Sequence, residues 1–249
     1  MLVFVVPYRA TDQPERAKQL EIFSNTMHKL IPSAYVFVME QAGNQPFNRG
    51  ALLNASISAS GAGRDAILCF HDVDLIPDKD MLHEYIKPLP EHTVRHIGRA
   101  WKRYDSDTYL GGVLLMRCGD FCDINGFPND FWGWGGEDDE LRDRILRHQM
   151  HIERSEGTIT DLENLNLEQK LTKLKATGAK CKDKWEKRDW HRQHPGQKGL
   201  KQQDEDIVSC QQITPTHFHY KVTFCEPMSI VHFAPEMSDP SSYNTATWF

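Results

Sequence analysis

Ala66-Ile67-Leu68-Cys69-Phe70-His71-Asp72-Val73-Asp74 sets five apolar residues and a histidine ahead of two carboxylates separated by one valine. An apolar run of that length, rich in strand formers, reads as a strand buried on both faces, the kind found in parallel sheets. Strand side chains alternate, so the spacing predicts that Asp72 and Asp74 point to one side beyond the strand's carboxyl end. Pro77 ends the segment. Working outward, residues 2–6 (Leu-Val-Phe-Val-Val) read as a first strand and 35–39 as a second. Between them Leu20, Phe23, Met27 and Leu30 recur at spacings of three and four behind Pro14, which suits a first helical position. Residues 48–58 predict a second helix, 109–117 a further strand after two glycines, and 137–148 a helix with Leu141 and Ile145 on its inner face. Phe218, Tyr220, Val222 and Phe224 alternate as a late strand should. This order predicts an α/β fold: a Rossmann-like, mostly parallel sheet covered by helices on both faces. In such sheets ligands collect at the carboxyl ends of the strands.

The chain has 249 residues, 39% hydrophobic and 26% charged, with no run near the ~20 apolar residues that a membrane span requires. The formal charge of −6 argues against nucleic acid as a general partner, because phosphate binding needs a basic surface. Residues 170–201 run the other way, with eleven Lys or Arg against three Asp or Glu. Such a stretch is either a solvated helical face or a surface that attracts an anionic acceptor. The first apolar run lacks the basic and small-residue flanks of a secretory leader, and the six cysteines include no CxxC pair. Reduced thiols and a cytoplasmic protein are the expectation, unless the chain is a piece of an anchored precursor.

Three constellations carry chemistry. Asp72 and Asp74 together want a cation, and Mg²⁺ or Mn²⁺ takes carboxylate oxygens while drawing its other ligands from substrate phosphates. Asp-x-Asp also occurs in plain surface turns; the strand before it favours function. Residues 126–140 (Gly-Phe-Pro-Asn-Asp-Phe-Trp-Gly-Trp-Gly-Gly-Glu-Asp-Asp-Glu) place Trp132 and Trp134 among glycines, where indoles can carry a sugar ring, and then open a helix with four acids. Acids there suit the helix dipole, but four exceed what a cap requires, and one could act as a general base. The third element joins Pro7, Tyr8 and Arg9 after the first strand to Phe47, Asn48 and Arg49 after the second. Arg9 and Arg49 could grip a nucleotide, with Tyr8 or Phe47 stacked on its base; ion pairing and core packing are the alternatives.

In this order the segments resemble the β1,4-galactosyltransferase family: Val-Pro-Tyr-Arg (6–9), Phe-Asn-Arg (47–49), Asp-Val-Asp-Leu-Ile-Pro (72–77), Tyr-Leu-Gly-Gly-Val (109–113) and the 126–140 segment. The resemblance covers residues 2 to about 155 and, loosely, 199 through the late strand. His71, the Thr-Tyr-Leu-Gly-Gly of 108–112 and Glu140 are most similar to the xylosylprotein galactosyltransferase branch, which favours xylose as acceptor over N-acetylglucosamine or glucose. The resemblance implies a single GT-A domain over 1–249. Its nucleotide-sugar half would be 1–118 and its acceptor half 119–249, with a charged helical excursion at 161–202. It implies galactose transfer from UDP-galactose with inversion and a β1,4 linkage. Asp74 would bind Mn²⁺, with Mg²⁺ possible, Asp72 would contact the nucleotide sugar and Asp138 would be the base. Glu137 and Asp139 would hold the sugars, and Trp134 would lie on the donor and acceptor side of a loop closing over the donor. Tyr109 holds the position whose tyrosine disfavours an N-acetyl group on the donor. Pro7, Tyr8, Arg9, Phe47, Asn48, Arg49, Gly111, Gly112, Trp132, Gly135 and Gly136 complete the implied substrate site. A fragment of an anchored family member would lie in the Golgi lumen.

One departure stands out. The family usually supplies a metal-binding histidine shortly after the segment matching residues 154–160, and none is present here. Asp161, Glu163 or a nearby asparagine could replace it, as could the pairs His217 and His219 or His191 and His194. Alternatives to the main reading are a UDP-GalNAc transferase of the same fold, an inactive carbohydrate-binding homologue and a metal phosphoesterase.

Overall fold

A computed structural model describes residues 1–9, 15–104 and 106–224; Pro14 and Cys225 lie outside the described residues. In chain order its elements are β1 (Leu2–Tyr8), α1 (Glu15–Leu30), β2 (Tyr35–Gln41), α2 (Arg49–Ser60), β3 (Ile67–His71), β4 (Leu75–Pro77), α3 (Leu82–Ile86), β5 (Thr93–His96) and β6 (Val113–Arg117). There follow α4 (Cys118–Asp123), α5 (Glu137–Arg147), β7 (His151–Arg154), β8 (Ile159–Asp161), α6 (Leu167–Ala176), α7 (Lys184–Gln193), β9 (Asp206–Thr214) and β10 (His217–Thr223).

Eight strands form one sheet in the order β7-β5-β6-β3-β1-β2-β10-β9. The pairs β3/β1, β1/β2, β2/β10 and β5/β7 are parallel, and the other three are antiparallel. The sheet is therefore mixed but mostly parallel. Alternation sorts its central strands into two cores. Val3, Val5, Phe37, Leu68 and Phe70 face α2, α4 and α5 through Leu52, Phe121 and Leu141. Phe4, Val6, Val38 and Cys69 face α1 through Phe23 and Met27. Each such side chain, fully buried, contributes ~1.5–3 kcal/mol, which is why these strands are apolar on both faces.

Two expectations are corrected. The strand after the two glycines is Val113–Arg117, and it runs antiparallel to both of its neighbours, β3 and β5, instead of continuing the parallel order. β3 stops at His71. Asp72 to Asp74 form a turn closed by the Leu75 N–H on the Asp72 carbonyl, and Pro77 belongs to β4, which pairs with β8. The two carboxylates take separate partners from that turn: Asp72 meets Arg49 of α2 and Asp74 meets Arg16 of α1.

The charged excursion is helical as expected, forming α6 and α7. β5, β7 and β9 have no sequence counterpart above, being short or, for β9, an exposed edge strand without an apolar period. Cys69, Cys118, Cys122, Cys181 and Cys210 are free thiols. Among the described residues no helix is long and apolar enough to cross a membrane.

Candidate active site

The carboxyl ends of β1, β2 and β3 open into a cleft of about 1370 Å³, walled on the far side by residues 132–139 and by α6, α7 and their connection. Of the catalytic, substrate-binding and metal-binding residues that the family resemblance implies, all line it except Asn48, Gly111 and Gly112. Asn48 is fully buried and spends its side chain on the protein. It caps α2 by accepting from the Ala51 N–H at 2.9 Å and donates to the Asn129 carbonyl at 2.8 Å. It thereby fixes the start of the helix whose first residue is Arg49. Gly111 backs the cleft wall at a close approach: a Cβ there would lie 2.4 Å from Asp138 Oδ2.

Arg49 joins the two acidic motifs. Its Nε donates to Asp72 Oδ1 at 2.9 Å and its Nη1 to Asp138 Oδ1 at 2.8 Å, while Glu137 Oε1 stands 3.9 Å away. Burial raises the pKa of both Asp72 and Asp138, against the pull of Arg49. Glu137 is pushed up to about 8, by burial first and by Asp138 second. One guanidinium cannot balance three clustered carboxylates, so the group holds a proton more readily than isolated acids would, and Asp138 gains basicity useful to a proton acceptor.

The four acids that open α5 divide by partner. Gly136, at φ 110°, ends the tryptophan loop and starts the helix without a side-chain cap. Glu137 and Asp138 turn to Arg49, and Asp139 turns to Lys184 at 2.8 Å. Glu140 is wholly buried against Arg144 and Arg147 and is structural. Arg9 donates to the Gln45 carbonyl at 2.6 Å and lies over the Phe47 ring at 5.6 Å. Tyr8 is nearly buried, edge-on to His219. Trp132 touches Phe224, whereas Trp134 is 38% exposed in the cleft. Tyr109 stacks on Tyr104 at 4.5 Å, beside Trp101.

Of the candidates for the missing histidine's place, Asp161, Glu163, His191, His194 and His219 each already have a protein partner. Glu163 accepts from Arg103 and Lys170, both at 2.8 Å; burial would raise its pKa, but these bonds hold it near 2. Asp161 is tied to Arg103 and to the Trp101 indole N–H. His219 pairs with Glu40, His191 with Asp130, and His194 stacks on Trp190. None of these histidines, nor His217, lines the cleft. His71 is buried, its pKa lowered to about 4; it donates to the Asp72 carbonyl and accepts from Tyr85, fixing the turn. Among the described residues no group of three His, Cys, Asp or Glu could hold a metal. The donors that remain are the hard oxygens of Asp74 and Asp72, each with one oxygen committed to a guanidinium. That set fits Mn²⁺ or Mg²⁺ when phosphates and water complete the shell, and does not form an all-protein cage.

Sequence reasoning missed Arg16, Trp101, Arg103, Tyr104 and Lys184, all of which line the cleft. Arg16 and Lys184 lie on helices whose polar residues carry no local sign of their partners. Trp101, Arg103 and Tyr104 precede Tyr109 closely, and that aromatic and cationic cluster was the one available signal.

Residues 1–85 match the family model described as the N-terminal region of glycosyl transferase group 7, and residues 91–168 match that described as the N-terminal domain of galactosyltransferase. The chain is 38% identical over 122 residues to β1,4-galactosyltransferase 5 of Sus scrofa, covering 49% of this chain and 31% of that protein. With β1,4-galactosyltransferase 4 of Cricetulus griseus it is 33% identical over 155 residues, 60% of this chain and 44% of the relative. The alignments thus span less than half the length of these curated relatives. Among solved structures, a mutant β1,4-galactosyltransferase 7 from Drosophila, in complex with manganese, UDP-Gal and xylobiose, superposes with a TM-score of 0.70 at 23% identity. The match covers 90% of this chain and 94% of that one, which places the present fold among the GT-A glycosyltransferases. The catalytic domain of the same Drosophila enzyme with xylobiose gives 0.69.

Proposed function

This chain belongs to the β1,4-galactosyltransferase family, and from that premise we propose that it transfers galactose from UDP-galactose to a sugar hydroxyl, with inversion and a β1,4 linkage. The observation that carries the reading is Arg49, which holds Asp72 of the strand-end turn and Asp138 of the helix-opening motif in one cleft. Arg49 orients Asp138, and the burial that raises the Asp138 pKa suits it to take the acceptor proton as the hydroxyl attacks. Attack opposite the leaving UDP in a single displacement inverts the anomeric carbon. Trp134 offers an indole face for the acceptor ring, and Asp139, held by Lys184, is placed to accept from its hydroxyls. Tyr109 and Gly111 wall the donor side, where a tyrosine leaves little room for an N-acetyl group. Asp74, with the diphosphate, would hold Mn²⁺ or Mg²⁺, which when bound supplies Lewis-acid neutralisation of the departing UDP. The xylobiose bound by the Drosophila neighbour supports xylose as acceptor, ahead of N-acetylglucosamine or glucose. One GT-A domain comprising both halves of the chain would carry the reaction.

The test is incubation with UDP-galactose, Mn²⁺ and a panel of xylosides, glucosides and N-acetylglucosaminides, with products resolved by mass. Addition of one hexose, lost in Asp138→Asn, is the expected result. No product from any acceptor, or undiminished turnover in Asp138→Asn, rejects the mechanism. UDP-GalNAc outcompeting UDP-galactose would reject the donor assignment.

A further inference from the structure

The cleft is more cationic than the chain that forms it. Four arginines and six lysines line it against six carboxylates, in a protein of formal charge −6. All six lysines come from α6, α7 and the segment between them. Four have carboxylate partners: Lys170 and Lys173 pair with Glu163, Lys184 with Asp139 and Lys187 with Asp183. Lys180 and Lys182 have no carboxylate partner among the described residues, and both are exposed. The backbone that carries them is nonetheless held in place. The Trp134 N–H donates to the Ala179 carbonyl at 2.7 Å and the Cys181 N–H to the Trp134 carbonyl at 3.1 Å, a parallel bridge that fastens this segment to the tryptophan loop. Between the two lysines Cys181 is buried, so the backbone that carries both side chains is anchored from below. The same face continues to Trp185, 65% exposed, with the Lys184 ammonium 5.0 Å from its ring.

We propose that the acceptor is an anionic saccharide: a carboxylate, sulfate or phosphate borne beyond the sugar that receives galactose is bound by Lys180 and Lys182, beside the indole of Trp134. The proposal deepens the transferase reading and rests on it for the direction in which the acceptor lies. Trp134, Asp138 and the bridged segment line one cleft, so a glycan whose reacting sugar lies on Trp134 with its hydroxyl toward Asp138 would extend beside that segment. Two cations carried there on a bridged backbone draw an anion toward the mouth of the cleft, and the attraction weakens as salt screens it.

Titration calorimetry with UDP present tests this on matched disaccharides: xylosyl-glucuronate, its uncharged methyl ester, and the sulfate and phosphate monoesters of xylobiose set against xylobiose itself. At low ionic strength at least one charged form is expected to bind about tenfold more tightly than its neutral counterpart, a margin that shrinks to about twofold near 0.5 M salt. The preferred anion identifies the source. Lys180→Glu with Lys182→Glu should abolish the preference, while Lys29→Glu, on the exposed face of α1, keeps it. Equal affinities for every charged and neutral pair, no measurable binding of any of them, or a preference that survives the double variant would overturn the proposal. Anion preference without galactose transfer would instead sink the transferase reading alone, and transfer without preference would sink this proposal alone.

Discussion

Substituting Gly111 separates catalysis from folding. Its backbone lies outside the left-handed region, so alanine meets no conformational barrier there; the difficulty is a contact. The added Cβ would fall 2.4 Å from Asp138 Oδ2 and 2.7 Å from the Tyr109 hydroxyl. A methyl carbon and an oxygen keep roughly 3.3 Å apart, so the Asp138 carboxylate must retreat by about 0.9 Å. A misplacement near 1 Å at a reacting group costs about 100-fold in rate, equivalent to ~2.7 kcal/mol of lost transition-state stabilisation. The neighbouring atoms are side-chain ends, so overpacking should cost only about 1–2 kcal/mol of stability. Gly111→Ala should therefore show a cooperative melt close to wild type and a kcat about 100-fold lower. Adding Gly111→Ala to Asp138→Ala should cost almost nothing further, because the displaced carboxylate is already gone. Steady-state galactose transfer beside thermal denaturation reads both quantities. A wild-type kcat in Gly111→Ala, or full additivity with Asp138→Ala, refutes the reasoning.

Other consequences follow from the charge arrangement. The Asp138 pKa is raised, so kcat/KM should climb with pH through an apparent pKa above the usual aspartate value; Arg49→Met, which removes the opposing cation, should move that limb to still higher pH. Glu137 is held near 8 in the folded chain, above its unfolded value, so the stability it favours is present below about pH 4.5 and lost as pH rises through 8. The melting temperature of Glu137→Gln should depend less on pH across that window, and an unchanged slope would count against the burial of Glu137. The Arg103 side chain is 2% exposed and holds both Asp161 and Glu163, so Arg103→Met should lose about 3 kcal/mol in urea unfolding by leaving Asp161 without a cationic partner and Glu163 with Lys170 and Lys173 alone. Chelation by EDTA should lower transfer by about tenfold or more, with recovery on adding Mn²⁺; full activity in EDTA would remove the role given to Asp74.

Periodicity is a local property, and wherever a segment's environment was uniform the sequence was enough. β1, β2 and β3 are apolar throughout because helices cover both faces, and α1 and α5 show their inner stripes for the same reason. The motifs at the ends of those strands, together with the acids opening α5, were legible because chemistry concentrates where parallel strands end. Direction and partnership were not legible. β6 runs antiparallel to β3 and β5, and an apolar run reads the same in either direction. Asn48 looked like a ligand contact and is a cap.

What residue order determined by itself is the layering of the fold and the set of side chains brought to one cleft. Only the tertiary structure decided that Arg49 spans Asp72 and Asp138, that Arg16 sits on Asp74, that Arg103 consumes the acids standing where a histidine was expected, and that Lys180 is fastened to Trp134. Burial depends on a residue's own character and near neighbours, so pattern reveals it. An ion pair depends on which distant charge the packed helices carry within ~4 Å, and Arg49 and Asp138 are 89 positions apart in the chain.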